Sequence, residues 1–450
     1  MSGNASPEAG SRWSSIATYA IGGLVGGLAG GAFVVVVTLA LKAMMDFVSS
    51  QVTWVLIVVP LIGLALTVVV LHVFGQIETA QTHGQRVTRE RRAKIWRTFP
   101  RGAIQADITG DVVDSAGQEE RFPWRLTPIH TLAIFATVGL GAGMGTEAPA
   151  AYFGVAAGAF VGDRGGWWRR LLRPAALGGG AAGVAALMGI PLVGTAYMLE
   201  LGRRHKAPLS AERVMAALIG GFVGWGFDVV FGLNLIRLVV PKEPPVNFTQ
   251  AAITALFIGA LSGAITSLAA SAIYRAKKWK AAPGFRLSLG ALAAGITAVT
   301  LSLIAAPSAA VGPGGGAILW AENANALPLT LLAVALLRAA ATTAAVAAGG
   351  CGGVFVPFLA IGDIGGRVFA PGLGIGDDLA GAAGAAAGIA GGYHLPFTAA
   401  AMVLGVGGPH LATLTCLATV VTASLAGSGA ASLFDRFTGL LHFRRSAPTH

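Results

Sequence analysis

Glu147 is the residue whose type and position most clearly suggest chemistry. It lies in the element Gly145-Thr146-Glu147-Ala148-Pro149, within a largely apolar stretch from Thr127 to Gly162. A carboxylate is costly at membrane depth and usually marks a functional site. A Gly-rich turn that opens a helix exposes backbone N–H groups, and the helix N-terminus carries about half a positive charge, which suits an anion. The pattern predicts a site at which the Glu147 carboxylate competes with a bound anion until it is protonated.

A second element of the same form occurs later in the chain, as Gly353-Val354-Phe355-Val356-Pro357. Its glycine leaves room for an ion, and Pro357 is tolerated in the first turn of a helix, where its missing N–H has no partner to lose. Backbone N–H groups around Thr146–Ala148 and Val354–Val356 are predicted to form the polar lining of one path. Phe355 is predicted to form an apolar wall of that path.

Each element is followed at a similar distance by the same kind of helix. Residues 181–199 read AAGVAALMGIPLVGTAYML and residues 386–404 read AAGIAGGYHLPFTAAAMVL. Eight residues lead from Gly183 to Pro191, and eight lead from Gly388 to Pro396. Two halves that carry the same motifs in the same order are typical of transporters built from repeats. Such transporters bind their substrate near the membrane midplane, between the repeats. The sequence alone leaves open whether the second copy is inverted.

Composition sets the environment in which these elements lie. The chain has 450 residues, of which 54% are hydrophobic and only 11% are charged, and its mean hydropathy is +0.71. Soluble domains carry about 25% charged residues, so a soluble Gly-rich enzyme is excluded in favour of a membrane protein with many helical spans. The 65 glycines suit close helix packing in lipid, because small residues let backbones approach.

Charge and cysteine content exclude other classes of partner. The net charge of +11 comes from basic residues grouped in short loops between apolar runs, which does not indicate nucleic-acid binding. Cys351 and Cys416 both lie in apolar surroundings, so no structural disulfide is expected. Nothing in the sequence points to a metal ion or a cofactor.

The apolar stretches reach or approach the ~20 residues that one helical crossing needs. Some are too short or too interrupted by Gly and Pro for one span, and others are long enough for two helices. This irregularity indicates broken helices, which lipid tolerates only where they are buried or line a wet cavity. The stretches lie near 16–45, 53–74, 128–162, 175–200, 211–240, 249–274, 286–307, 326–348, 353–370, 380–405 and 409–426.

The chain is predicted to divide along its length into two repeats, a middle segment and two tails. The N-terminal tail does not have the features of a secretory signal, because it holds a single Arg and no clear cleavage site. The predicted divisions are a polar tail at 1–15, a first repeat region at 16–205, middle membrane helices at 206–285, a second repeat region at 286–440 and a tail at 441–450.

Loop charge predicts the orientation. The densest basic run, His83–Arg101, is expected to be cytoplasmic. The long polar insertion at 101–123 carries Asp107, Asp111 and Asp114 together with two glutamates. We expect this insertion to be a solvated surface loop rather than a cation site.

At these motifs the chain resembles the CLC family of chloride channels and proton-coupled chloride antiporters. The resemblance covers residues 125–200 and 310–440 best, where both anion elements occur in order and each precedes its Ala-Ala-Gly helix. It implies an all-α, multi-pass protein of the cell membrane with two pseudo-symmetric, inverted repeats and broken helices. It also implies transport of chloride or another small monovalent anion, a homodimer in the lipid bilayer, and a protonatable gate at Glu147.

Three departures from the family pattern bear on the mechanism. The family's Gly-Ser-Gly-Ile-Pro element is absent before Trp124, and the family's central tyrosine aligns with Phe434, which keeps a ring but has no hydroxyl. The inner acidic residue of the antiporters aligns with Leu201. The path is therefore predicted to be passive or only weakly coupled to protons, with a proton-coupled antiporter as the alternative.

Two hypotheses of other classes stay open beside transport. A non-conducting scaffold with the same fold would explain the missing hydroxyl donors. An intramembrane hydrolase would need Ser428 as nucleophile with His394 or His410 as base, and a lone His in an apolar helix is more often a core residue. We therefore expect that the protein is not an enzyme.

Overall fold

A computed structural model describes residues 7–74, 108–117, 122, 124–204, 207–233, 247–373, 375–407 and 413–437. Within these ranges the chain is almost entirely helical and contains no strand. A single isolated bridge pairs Gly145 with Gly353 in antiparallel fashion. The all-α fold predicted from the sequence is confirmed. The basic run at 83–101 and the C-terminal tail lie outside the described residues.

Seventeen α-helices are described, joined in places by short 3₁₀ turns and one π-helical turn at Phe135–Gly139. The first nine are α1 Pro7–Ser49, α2 Thr53–Phe74, α3 Ile108–Gly117, α4 Thr127–Ile134, α5 Glu147–Gly162, α6 Leu172–Met188, α7 Pro191–Arg204, α8 Ala211–Phe231 and α9 Phe248–Lys278. The others are α10 Pro283–Ile304, α11 Pro307–Ala310, α12 Gly315–Asn323, α13 Pro328–Ala347, α14 Phe355–Phe369, α15 Asp377–Tyr393, α16 Pro396–Gly407 and α17 Leu414–Phe437.

Eight helical segments in the described part of the chain are long and apolar enough to cross a membrane. The protein is therefore a multi-pass integral membrane protein, as predicted. The segments are Ser14–Ser49, Thr53–His72, Gly166–Met188, Ala211–Phe231, Phe248–Lys278, Pro283–Ile304, Pro328–Ala347 and Leu414–Phe437.

The chain forms two compact units that each draw on separate stretches of sequence. The first unit comprises 1–39, 108–127 and 149–235. Its helices cross at glycines: a Cβ added to Gly154 of α5 would lie 2.0 Å from the carbonyl oxygen of Gly179 in α6. Only hydrogen fits at such a crossing, which explains the high glycine content in physical terms.

The second unit comprises 40–107, 128–148 and 236–450. It uses the same packing, because a Cβ on Gly362 of α14 would lie 2.3 Å from the carbonyl oxygen of Gly384 in α15. Both Gly145 and Gly353 belong to this unit.

The two repeat segments have the same local structure. Helices α6 and α15 each end at a residue in the left-handed conformation, Gly189 with φ 67° and His394 with φ 56°. Two residues later, α7 and α16 begin at Pro191 and Pro396. The internal repeat predicted from the sequence is thus present in the backbone.

The polar insertion at 101–123 differs from the expectation. Its described part is helix α3, and Asp111 is buried rather than solvated. The reason is the spacing of Ile108, Val112 and Ala116, which fall on one face of the helix and are all buried. The interpretation as a solvated loop is wrong for this part, while Asp107 and the two glutamates lie outside the described residues.

The crossing at Gly154 generates a stability prediction. Gly154→Ala should lower stability by about 1–3 kcal/mol or prevent folding, because the new methyl group overlaps a backbone carbonyl that cannot rotate away. Gly226→Ala in α8 is the matched control, since nothing lies within 4 Å of a Cβ there, and alanine should stabilise that helix by about 0.5–1 kcal/mol. Thermal unfolding in detergent measures both variants. Equal stability in the two would contradict the packing described.

Candidate anion site

The two predicted elements meet through their glycines. The N–H of Gly145 donates to the carbonyl of Gly353 at 2.6 Å, and the N–H of Gly353 donates back at 2.8 Å. A Cβ on Gly353 would lie 3.1 Å from both the backbone nitrogen and the Cβ of Ala148, and one on Gly145 would lie 3.3 Å from Cδ of Pro357. A Cβ at either position would therefore be in tight contact with the other element, which would have to shift by a few tenths of an ångström.

A helix begins two residues after each of the paired glycines. Helix α5 begins at Glu147 and α14 begins at Phe355. The first N–H groups of any helix have no partner within the helix, and the helix dipole adds partial positive charge at this end. The pairing of the glycines therefore brings two sets of donors to one place, as an anion site requires.

The Glu147 carboxylate occupies this place. Glu147 is 2% exposed, and its Oε1 accepts a hydrogen bond from the Thr146 hydroxyl at 2.9 Å. Backbone N–H groups of Glu147, Val356 and Thr146 also face the carboxylate. Its Oε2 makes no regular hydrogen bond within the described part of the chain. The carboxylate thus lies where backbone donors of both elements point, as a bound anion would, and it accepts a regular hydrogen bond from Thr146.

A pair of threonines contacts the backbone just before the second element. The Thr137 hydroxyl accepts a hydrogen bond from the N–H of Cys351 at 3.0 Å and lies 2.7 Å from the Thr67 hydroxyl of α2. Thr137 lies in the π-helical turn at Phe135–Gly139, and such turns are frequent at functional sites. Sequence reasoning missed this pair, because the signal is two isolated threonines in apolar runs.

A buried arginine supports the loop before the first element. Arg338 of α13 is 1% exposed, and its guanidinium donates to the carbonyl oxygens of Ala309, Ala310 and Gly312 at 3.2, 3.4 and 2.6 Å. The N–H of Gly312 in turn donates to the carbonyl of Gly141 at 2.8 Å. The sequence signal of this role is a single charge inside the apolar run 326–348, far from both predicted elements.

A buried ionic cluster joins three helices of the same unit. Arg367 of α14 lies 2.9 Å from Asp363 on its own helix, 3.2 Å from Asp378 of α15 and 3.7 Å from Glu322 of α12. The spacing of Asp363 and Arg367 is a typical helical ion-pair signal, and it could have revealed half of the cluster. Three carboxylates around one guanidinium fix the helix ends at this point.

Three further residues were predicted to bear on the path or on its coupling to protons. Phe355 is buried, as expected for an apolar wall. Phe434 is half-buried in the last turns of α17, and its position on the path stays a prediction. Leu201 is buried in α7.

The residues of the hydrolase hypothesis gain no support. Nε2 of His394 lies 3.1 Å from the carboxylate of Asp435. Ser428 lies within helix α17, as expected for a turn of helix, and His410 is outside the described residues. Cys351 and Cys416 are both buried, and neither is part of a disulfide within the described residues.

Comparison with known proteins decides the family. The model of the family described as "Voltage gated chloride channel" matches residues 93–428. The chain belongs to this family. No protein with a curated description matches the chain.

Solved structures show the same fold. The structure of a slow cyanobacterial Cl⁻/H⁺ antiporter aligns with a TM-score of 0.66 at 18% identity, covering 97% of this chain and 99% of that one. A CLC-type fluoride/proton antiporter aligns with a TM-score of 0.66 at 20% identity over 95% and 98%. A eukaryotic CLC transporter gives 0.61 at 15% identity over 94% and 72%. The CLC-like architecture expected from the sequence is confirmed.

The threonine pair generates a prediction about the site's support. Thr137→Val should destabilise the protein by about 1–3 kcal/mol, because it leaves the buried N–H of Cys351 without its acceptor. Thr300→Val in α10 is the control, since the hydrogen bond described for the Thr300 hydroxyl lies within its own exposed helix turn. Thermal unfolding in detergent should separate the two variants. Equal unfolding temperatures would show that Thr137 does not support the element.

Proposed function

We propose that this protein moves chloride or a similar small monovalent anion across the membrane, past the joined N-termini of α5 and α14. The observation that carries the proposal is the Glu147 carboxylate, buried among the donors of both elements. Among the described contacts this carboxyl group has backbone and hydroxyl donors but no cationic side chain as partner, and such a set of donors suits a free anion as well. Family membership supports the same function.

Glu147 acts in this proposal as the gate of the path. While charged, its carboxylate competes with the anion for the same N–H groups. Protonation removes the charge, weakens the attraction to the two helix N-termini and lets an anion displace the side chain. The Thr146 hydroxyl, which now donates to Oε1, then becomes available to the anion, and Phe355 and Phe434 form apolar walls.

Passive or weakly coupled transport is the form that the residues favour. Exchange of protons for anions needs two protonatable stations that face opposite sides, and Leu201 cannot be the inner one. The alternative is a proton-coupled antiporter, which gains support because two similar solved structures are described as antiporters with protons. A homodimer and the non-conducting scaffold both stay predictions, and anion flux in liposomes tests the scaffold directly.

Replacing the gate tests the function. Anion flux in liposomes should rise as the pH falls, because protonation of Glu147 opens the path. Glu147→Gln should remove this dependence, since the amide cannot be charged, and Glu147→Ala should leave the path open at every pH. Glu212→Gln, at the N-terminal turn of α8, is the control and should keep the dependence. An unchanged pH profile in Glu147→Gln would favour a mere helix-capping role.

Proton flux tests the mode of transport. Liposomes with an imposed chloride gradient and no initial proton gradient should show anion flux without sustained uphill proton movement, because Leu201 occupies the position of the inner acidic residue. A pH-sensitive dye inside the liposomes measures this. Sustained uphill proton movement that disappears in Glu147→Gln would show that the antiporter alternative is right.

A further inference from the structure

The proposed site has few side-chain donors for an anion that sheds its water. Backbone N–H groups and the Thr146 hydroxyl are the donors found at Glu147. Phe355 and Phe434 offer rings without a hydroxyl. Because a small anion loses strong hydrogen bonds to water on entering an apolar path, a further donor near α14 would strongly affect which anions pass.

Tyr393 places a phenol beside the first turns of α14. It is the last residue of α15 and is 9% exposed. Its ring packs against Phe355 and against Phe358, one turn further on, with 5.5 Å between ring centroids in each case. Phe355 is the first residue of α14, so the phenol lies in the same unit as the paired glycines and in contact with the wall of the proposed path.

Packing alone does not require a phenol at this position. The first repeat carries Met188 at the equivalent point, directly before the left-handed residue that ends its helix, and Met188 is also buried. A thioether fills such a space without any strong polar group. A buried tyrosine instead brings a hydroxyl that must be satisfied by hydrogen bonding, so the second repeat carries a donor that the first repeat lacks.

Helix α15 ends at a histidine in the left-handed backbone conformation. His394 follows Tyr393 with φ 56°, and its N–H caps the carbonyl of Ala390 at 2.8 Å. The first repeat has Gly189 there, which adopts this conformation without steric cost, whereas histidine adopts it with strain. The imidazole compensates by pairing with the buried Asp435 of α17. This pair holds the backbone that carries Tyr393.

We propose that the Tyr393 hydroxyl donates a hydrogen bond to the transported anion beside the N-terminus of α14 and so determines anion selectivity. The proposal rests on the proposed function, because it requires that the anion passes Phe355. In this proposal a residue of α15 supplies a hydroxyl donor, which Phe434 lacks.

Calorimetric titration of the detergent-solubilised protein tests the proposal. Tyr393→Phe should weaken chloride binding about tenfold or more, as expected for a lost hydrogen bond to a charged group. Thiocyanate binding should weaken much less, because this large and weakly hydrated anion depends less on strong donors. Tyr197→Phe, a change at another buried tyrosine, is the control and should leave both affinities unchanged.

A second variant separates the effect of the lost hydroxyl from the effect of altered packing. Tyr393→Met carries the residue of the first repeat and should show the same selective loss of chloride affinity. Equal weakening of chloride and thiocyanate binding would indicate a packing defect and overturn the proposal, as would unchanged chloride binding in Tyr393→Phe. If the unaltered protein shows neither anion binding nor flux, the proposed function itself fails. Normal binding and flux with no effect of Tyr393→Phe overturns this inference alone.

Discussion

Two backbone hydrogen bonds between Gly145 and Gly353 join the elements on which the proposed site depends. They set where α5 and α14 begin relative to each other, and so where the first N–H groups of both helices point. A side chain at either glycine would make tight contact with the other element, which would have to shift. The contact from Thr137 reaches the backbone two residues before Gly353. Arg338 holds the loop that bonds to the backbone four residues before Gly145. Both contacts therefore support the chain segments that lead to the paired glycines.

The proposed site would attract an anion with partial charges rather than with a full countercharge. No lysine or arginine donates to the Glu147 carboxylate among the described contacts. A path for ions must bind firmly enough to admit them and weakly enough to release them. Helix N-termini meet both demands, because each contributes about half a charge. In the proposed mechanism, a carboxylate that shares the same donors would close the path without any large movement of the helices.

Local patterns in the sequence predicted the parts of this arrangement that depend on neighbouring residues. The Gly-x-x-x-Pro spacing of both elements marked the starts of α5 and α14, and the Ala-Ala-Gly repeat marked α6 and α15. Features that depend on distant contacts were missed. The Thr137 and Arg338 contacts join residues far apart in the chain, and the polar composition around Asp111 concealed the buried face of α3.

The central claim is that the Glu147 carboxylate and the transported anion compete for one position. A crystal structure of Glu147→Gln grown in bromide tests it most directly, because anomalous scattering locates bromide without ambiguity. Competition predicts a bromide peak within hydrogen-bond distance of two backbone nitrogens, that of residue 147 and that of Val356. The amide side chain of the Glu147→Gln variant should be displaced from this position. A bromide-free site, with the amide still seated where the carboxylate now lies, would contradict it.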